Sequence, residues 1–283
     1  MSASTASAPE LPSPGITVSP GAGPTPESLP GPDAPIPTDP AKLADALDRT
    51  TGEVRGAIDE WLSDDPSEGR APDDVVLPAM FQQRIYRTLA GDQDLQRRTI
   101  ALLPRSLRAE ARANAGAAKD LIALVTTPVR DLGAFRTEVP KPAGVLRSWF
   151  EEGERRFGVR WELLAAVMFI ESKFGRVRAS SSAGAQGPMQ FIPSTWARYG
   201  MGGNIRDPHD AILGAANYLH SSGAPGNERA ALYAYNHAWP YVDAVLAYAN
   251  QMARDDRDYY AYYNWQVYVL TTSGVVRLTG PGL

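Results

Sequence analysis

Apolar residues recur at helical spacing through most of the chain. In "KLADALDRTTGEVRGAIDEWL", Leu43, Leu47, Val54, Ile58 and Trp61 fall on one helix face. "VVLPAMFQQRIYRTLA" and "DLQRRTIALLPRSLRAEARANAGAAKDLIALVT" continue the pattern, with Arg and Glu on the polar faces and breaks at Gly91 and Pro104. A small helical bundle is predicted over residues 41–137. "EVPKPAG", Glu138 to Gly144, interrupts it, because its two prolines resist regular structure. "VLRSWFEEGERRFG" then reads as an amphipathic helix with Val145, Leu146, Trp149, Phe150 and Phe157 inward and Gly158 as its stop. "WELLAAVMFIES" is almost continuously apolar, which predicts a helix at the centre of a helical core.

Beyond a glycine-rich stretch, "IPSTWARYG" offers Pro193 for a first helical turn and Gly200 for a stop. "DPHDAILGAANYLH" is a sharp helix start: Asp207 caps, Pro208 fits the first position, and Asp210 completes a capping box. "NERAALYAYNHAWPYVDAVLAYANQMARD" predicts two helices broken near His237 to Pro240. In "YYAYYNWQVYVLTTSGVVRLTG", alternation and β-branched residues predict a short hairpin turning at Thr272 to Gly274, so residues 255–283 read as an aromatic β-hairpin extension. At the other end, residues 1–40 hold eleven of the 24 prolines and read as an extended, disordered tail. The predicted class is mainly α, with residues 138–254 as a second helical domain.

Composition narrows the chemistry. A net charge of −4 argues against a nucleic-acid partner, which needs a concentrated basic surface. "RRTIALLPRSLRAEAR" is basic on one side and reads as a solvated face. With no cysteine there is no disulfide, thiolate nucleophile or cysteine–zinc site. His209, His220 and His237 lack the HExxH spacing, so no metal or other cofactor is expected. No apolar run is long enough for a membrane span, and "MSASTASAPELPSPG" lacks the basic start and apolar middle of a signal peptide.

One carboxylate stands out. Glu171 ends the apolar run "WELLAAVMFI". Buried and ionised it would be costly, so it either reaches water or has a raised pKa, as a general acid at neutral pH requires. From that helix alone, a glutamate pointing into solvent is the plainer reading. The segment "GAQGPMQF" adds weight to the other. Gly184 and Gly187 flank Ala185 and allow close backbone approach. Met189, Gln190 and Phe191 supply an apolar wall, an amide and an aromatic face, and an amide suits sugar hydroxyls and acetamides. "AYNHAWPY" brings Tyr235, Asn236, Trp239 and Tyr241 to a helix break. Each feature has a structural explanation in turns, caps or core; their joint occurrence around one isolated glutamate favours a site.

Taken together, "ESKFG", "SSAGAQGPMQFIPSTW", "DPHDAILGAANYL" and "ALYAYNHAWPYVDAVLAYA" resemble the soluble lytic transglycosylase domain, over roughly residues 142–252. The resemblance implies a lysozyme-like, mainly helical fold. It implies Glu171 as the single acid/base, and Ser181 or Ser182 as the serine that orients it, with Ser181 favoured. It also implies that Met189, Gln190, Tyr235 and Asn236 lie in a glycan cleft. Phe191 and Tyr241 join them as candidate substrate contacts. The implied substrate is the glycan strand of peptidoglycan, cleaved at the MurNAc–GlcNAc bond to leave a 1,6-anhydro end. Action in the cell wall or after secretion follows; residues 41–137 lie outside the resemblance, which implies no role for them, and stand as the candidate surface for a cell-wall protein partner. Two other readings stand beside it: a hydrolytic muramidase on the same fold, which would need a second acid such as Asp207, and a glycan-binding module without chemistry.

Overall fold

The computed structural model describes residues 29–63, 69–181 and 183–283. Most of the residue 1–40 tail and Ser182 lie outside the described residues. Helix α1 (Pro40–Ser63) begins where Asp39 accepts hydrogen bonds from the backbone N–H groups of Ala41 and Lys42, an N-cap that the helix start leaves unsatisfied otherwise. Leu43, Leu47, Val54, Ile58 and Trp61 are all buried, as the periodicity predicts. They pack on α2 (Asp73–Gly91) and α3 (Gln93–Leu102). Asp92 caps α3 through the N–H groups of Asp94 and Leu95. Pro104 falls in the break before α4 (Arg108–Leu124).

The second half winds around α6 (Trp161–Ser172), buried at every position from Leu163 to Phe169. Its neighbours are α5 (Ala143–Phe157), α8 (Pro208–Ser221), α10 (Trp239–Met252) and α11 (Arg257–Tyr263). The shorter α7 (Pro193–Tyr199) and α9 (Glu228–Tyr235) complete the helices among the described residues. Gly158 closes α5 at φ +70°, the left-handed cap its position suggested. α8 starts as expected at Asp207, which accepts from His209 and Asp210. The capping box does not form. The Asp210 carboxylate accepts instead from the N–H of Asn204, in the preceding loop.

The C-terminal stretch differs from its alternating pattern. "RDYYAYY" is helical, and the hairpin is confined to β1 (Tyr268–Thr271) and β2 (Gly274–Arg277), paired antiparallel from Tyr268–Arg277 to Thr271–Gly274. The cause is burial on every side. Tyr259, Tyr260, Tyr262 and Tyr263 are all buried, so α11 has no polar face to reveal its period. Three of their hydroxyls find buried acceptors: Tyr259 the carbonyl of Ala143, Tyr262 the Asn114 side chain, and Tyr263 the carbonyl of Lys141.

Helices α1–α4 do not stand apart from the rest. α10 lies between α4 and α6, α1 packs on α11, and the buried apolar residues of both halves form one continuous core. Polar ties cross the same boundary. Gln83 donates to the carbonyl of Gln266 at 2.9 Å and accepts from its N–H at 2.8 Å. Arg55, held by Glu110 of its own half at 2.7 Å, reaches across to Asp255 at 3.4 Å. The linker is pinned as well: Glu138 donates its N–H to the Arg176 carbonyl, and its carboxylate pairs with Arg178 at 2.7 Å.

Candidate active site

The sequence "ESKFG" stops the central helix abruptly. Lys173, Phe174 and Gly175 take φ of +52°, +59° and +87°, consecutive left-handed residues that only the last adopts without strain. Their surroundings hold them there. Phe174 is buried against Phe150, Phe169 and Tyr259. Ser172 accepts from the Gly175 N–H at 2.8 Å and donates to the carbonyl of Pro188, clamping the glycine segment onto the end of α6. Gly187 is required at that segment's tightest point: it sits at φ +75°, and a Cβ there would collide with the carbonyl oxygen of Ile205. The outcome is that Glu171, in the last turn of α6, faces a cavity of about 710 Å³.

Burial raises the Glu171 pKa to about 7, and two nearby groups hold it back from going further: the Tyr241 hydroxyl, donating to Oε1 at 2.7 Å, and the charge of Lys173. Burial also keeps the Tyr241 phenol protonated, far above its ordinary range, so it remains a donor. Near neutral pH, Glu171 can therefore give up a proton and take one back. It is the only acidic residue lining the cavity among the described residues. Asp207 is engaged at the start of α8 and does not line it.

The predicted site residues separate into three groups. Glu171, Asn236 and Tyr241 meet in the cavity. Tyr235, Met189, Phe191 and Gln190 support it from behind. The Tyr235 hydroxyl donates to the Met189 carbonyl at 2.7 Å. The Met189 and Phe191 side chains are buried in the core, the latter against Trp196, Tyr218 and Tyr235. The Gln190 amide donates to the carbonyls of Gly187 and Ala179, so it closes its own loop. Ser181 is exposed and organises a turn, its hydroxyl accepting from the Ala185 N–H at 3.0 Å. Ser182 lies outside the described residues.

Sequence reasoning missed the far wall. Gln83, Arg84 and Arg87 from α2, Leu121 and Val125 around the end of α4, and Tyr268, Leu270 and Val275 from the hairpin all line the same cavity as Glu171. The polar face of α2 reads as solvated, and nothing local shows that it turns inward.

Replacing Tyr241 by Phe removes the hydrogen bond that favours the Glu171 carboxylate. The pKa of Glu171 is then expected to rise above about 7, carrying the alkaline limb of a pH–kcat/KM profile upward. An unmoved limb would disconnect the two residues.

A carboxylic acid at the end of a buried central helix thus faces a cavity in a mainly helical body. Residues 148–256 match the family described as the Transglycosylase SLT domain, whose fold is lysozyme-like. The chain is 30% identical over 134 residues to membrane-bound lytic murein transglycosylase F 1 of Alkalilimnicola ehrlichii, covering 44% of this chain and 27% of that protein. It is 36% identical over 74 residues to membrane-bound lytic murein transglycosylase F of Thiobacillus denitrificans, covering 26% of this chain and 15% of the relative. The chain thus spans about a quarter or less of the curated relatives it matches. No solved structure matches it. No described helix is long and apolar enough to cross a membrane.

Proposed function

We propose that this chain cleaves the β-1,4 bond between N-acetylmuramic acid and N-acetylglucosamine in peptidoglycan, without water, and leaves a 1,6-anhydromuramic end. The observation that carries the reading is Glu171: the one acidic residue among the described residues that line its cavity, with a pKa of about 7 and a hydrogen bond from Tyr241. A glycosidase with two carboxylates divides acid and nucleophile between them. Here one group takes both proton-transfer roles in turn. Protonated Glu171 gives its proton to the leaving O4 of N-acetylglucosamine while the acetamido oxygen of the muramic residue bonds to C1 and the C1–O4 bond breaks. The resulting carboxylate takes the proton of the C6 hydroxyl. O6 then bonds to C1, the C1–acetamido oxygen bond breaks, and the neutral acetamide returns. Glu171 ends protonated, ready for another cycle. Tyr241 stabilises the carboxylate between the two steps, and Asn236 offers an amide to the sugar.

Peptidoglycan as substrate implies action outside the cytoplasmic membrane. The named activity of the two relatives agrees with this chemistry. The test is the product. Digestion of purified peptidoglycan in oxygen-18 water is expected to give anhydro-ended fragments, one water lighter than hydrolytic ones, with no label at C1. Labelled reducing ends as the main product would instead establish a muramidase.

A further inference from the structure

The cavity around Glu171 runs against the charge of the protein. The chain carries a net charge of −4, yet among the described residues the cavity is lined by Arg84, Arg87 and Lys173 and by Glu171 as the one acid. Arg84 is engaged, donating to the carbonyls of Pro32 and Ala34. The other two have no carboxylate partner among the described residues. Arg87, half-buried on α2, lies over the Tyr268 ring at 4.6 Å from its centroid and makes no hydrogen bond to a described residue. Its planar fork of N–H donors is therefore unused, in a place where burial disfavours the charge. Lys173 donates to the Phe169 carbonyl at 3.2 Å and lies 4.0 Å from the Phe169 ring centroid; burial lowers its pKa to about 7, against the opposing charge of Glu171. Burial disfavours the charged forms of both groups, and an anionic ligand would offset that cost.

Resting on the glycan-cleaving reading above, we infer that Arg87 and Lys173 form a carboxylate-recognition subsite beside Glu171, which selects glycans bearing an acidic substituent on the muramic residue. Two carboxylate sources share this chemistry: the lactyl group itself when no peptide is attached, and the acidic residues of an attached stem peptide. Arg87 supplies paired donors, the geometry that fits a carboxylate best, while Lys173, held near its titration point by burial, becomes a full point charge when an anion binds beside it. Leu121, Val125 and Val275 give the same cavity apolar wall for the methyl groups that accompany those acids. Arg87 lies on α2, outside the segment that matches the SLT domain, and Lys173 lies within it.

The experiment measures binding, with turnover silenced by Glu171→Gln in the full chain. The probes are tetrasaccharides of alternating N-acetylglucosamine and N-acetylmuramic acid in three forms: free lactyl acid, stem peptide attached, and lactyl primary amide. One of the acidic forms is expected to bind about 10-fold or more tighter than the neutral amide, as a charge-assisted pair provides, and the tighter one identifies the source. Adding Arg87→Gln should erase that preference and leave affinity for the amide within about twofold. Equal binding of all three forms, or a preference that survives Arg87→Gln, overturns the subsite. The comparison of ligands keeps Arg87 intact, so a misfolded Arg87 variant cannot hide the answer. Wild-type cleavage of peptidoglycan, assayed in parallel, separates the two failures. Cleavage without carboxylate preference removes the subsite alone; no binding and no cleavage remove the glycan-cleaving reading with it.

Discussion

Glu171→Gln is expected to lower turnover of peptidoglycan by about 10²–10⁴-fold, the usual worth of general acid–base catalysis, while glycan binding persists. Glutamine keeps the size and can still accept from Tyr241, but it cannot cycle a proton. Loss of activity alone would not distinguish chemistry from misfolding, so stability supplies a second readout. The folded-state pKa of Glu171 is about 7, above its ordinary 4.5. The folded state therefore holds this proton more tightly than the unfolded state does. Ionisation imposes no penalty below pH 4.5; the penalty grows as pH rises and is complete above about 7. The glutamine variant escapes it. Its melting temperature should exceed that of the wild type above pH 7, and the gap should close toward pH 4.5. A variant that cleaves at near wild-type rate, or a gap that does not depend on pH, would remove Glu171 from its role.

The second large effect concerns the boundary of the domain. Residues 138–283 expressed alone are expected not to fold cooperatively, although they contain the whole segment that matches the SLT domain. Without α1–α4, α10 loses the partner on one of its sides, and α11 loses α1. Tyr262 loses Asn114 and Gln266 loses Gln83, leaving buried polar groups unpaired at about 1–3 kcal/mol each. Each buried leucine-sized side chain newly exposed costs about 1.5–3 kcal/mol more. A few such losses equal the roughly 5–15 kcal/mol by which whole domains are stable. Thermal unfolding of the fragment, followed by near-ultraviolet circular dichroism, should show no sharp transition. A cooperative melt within a few degrees of the full chain would show that the second half is self-sufficient.

Local pattern carried much of this architecture. Amphipathic spacing located α1 and α5, and proline with an acidic cap located the start of α8. The isolated glutamate, the glycine segment and the "AYN" triplet pointed to one site, and Glu171, Asn236 and Tyr241 do share a cavity. Sequence could not tell which members of the motif face the cavity. Met189 and Phe191 read as wall because they are apolar beside a glycine turn, and the same property buries them in the core. Gln190 carries the right amide, but its donors are used by Gly187 and Ala179 within its own loop. α11 lost its helical signature because all its faces are covered. The far wall was illegible for a different reason: the Gln83–Gln266 pair that aligns it spans 183 positions, and no short window contains both halves.

That long-range closure also sets a schedule. Glu171 emerges during synthesis well before the residues that finish its surroundings, because Trp265, Tyr268, Leu270 and Val275 come about a hundred positions later. A chain that has reached only the end of α10 has its acid but not the desolvated chamber that raises its pKa. The raised pKa would then arrive only when the hairpin and α2 close the cavity together. A nascent or unfolded chain would carry the same carboxyl group with its ordinary, lower pKa.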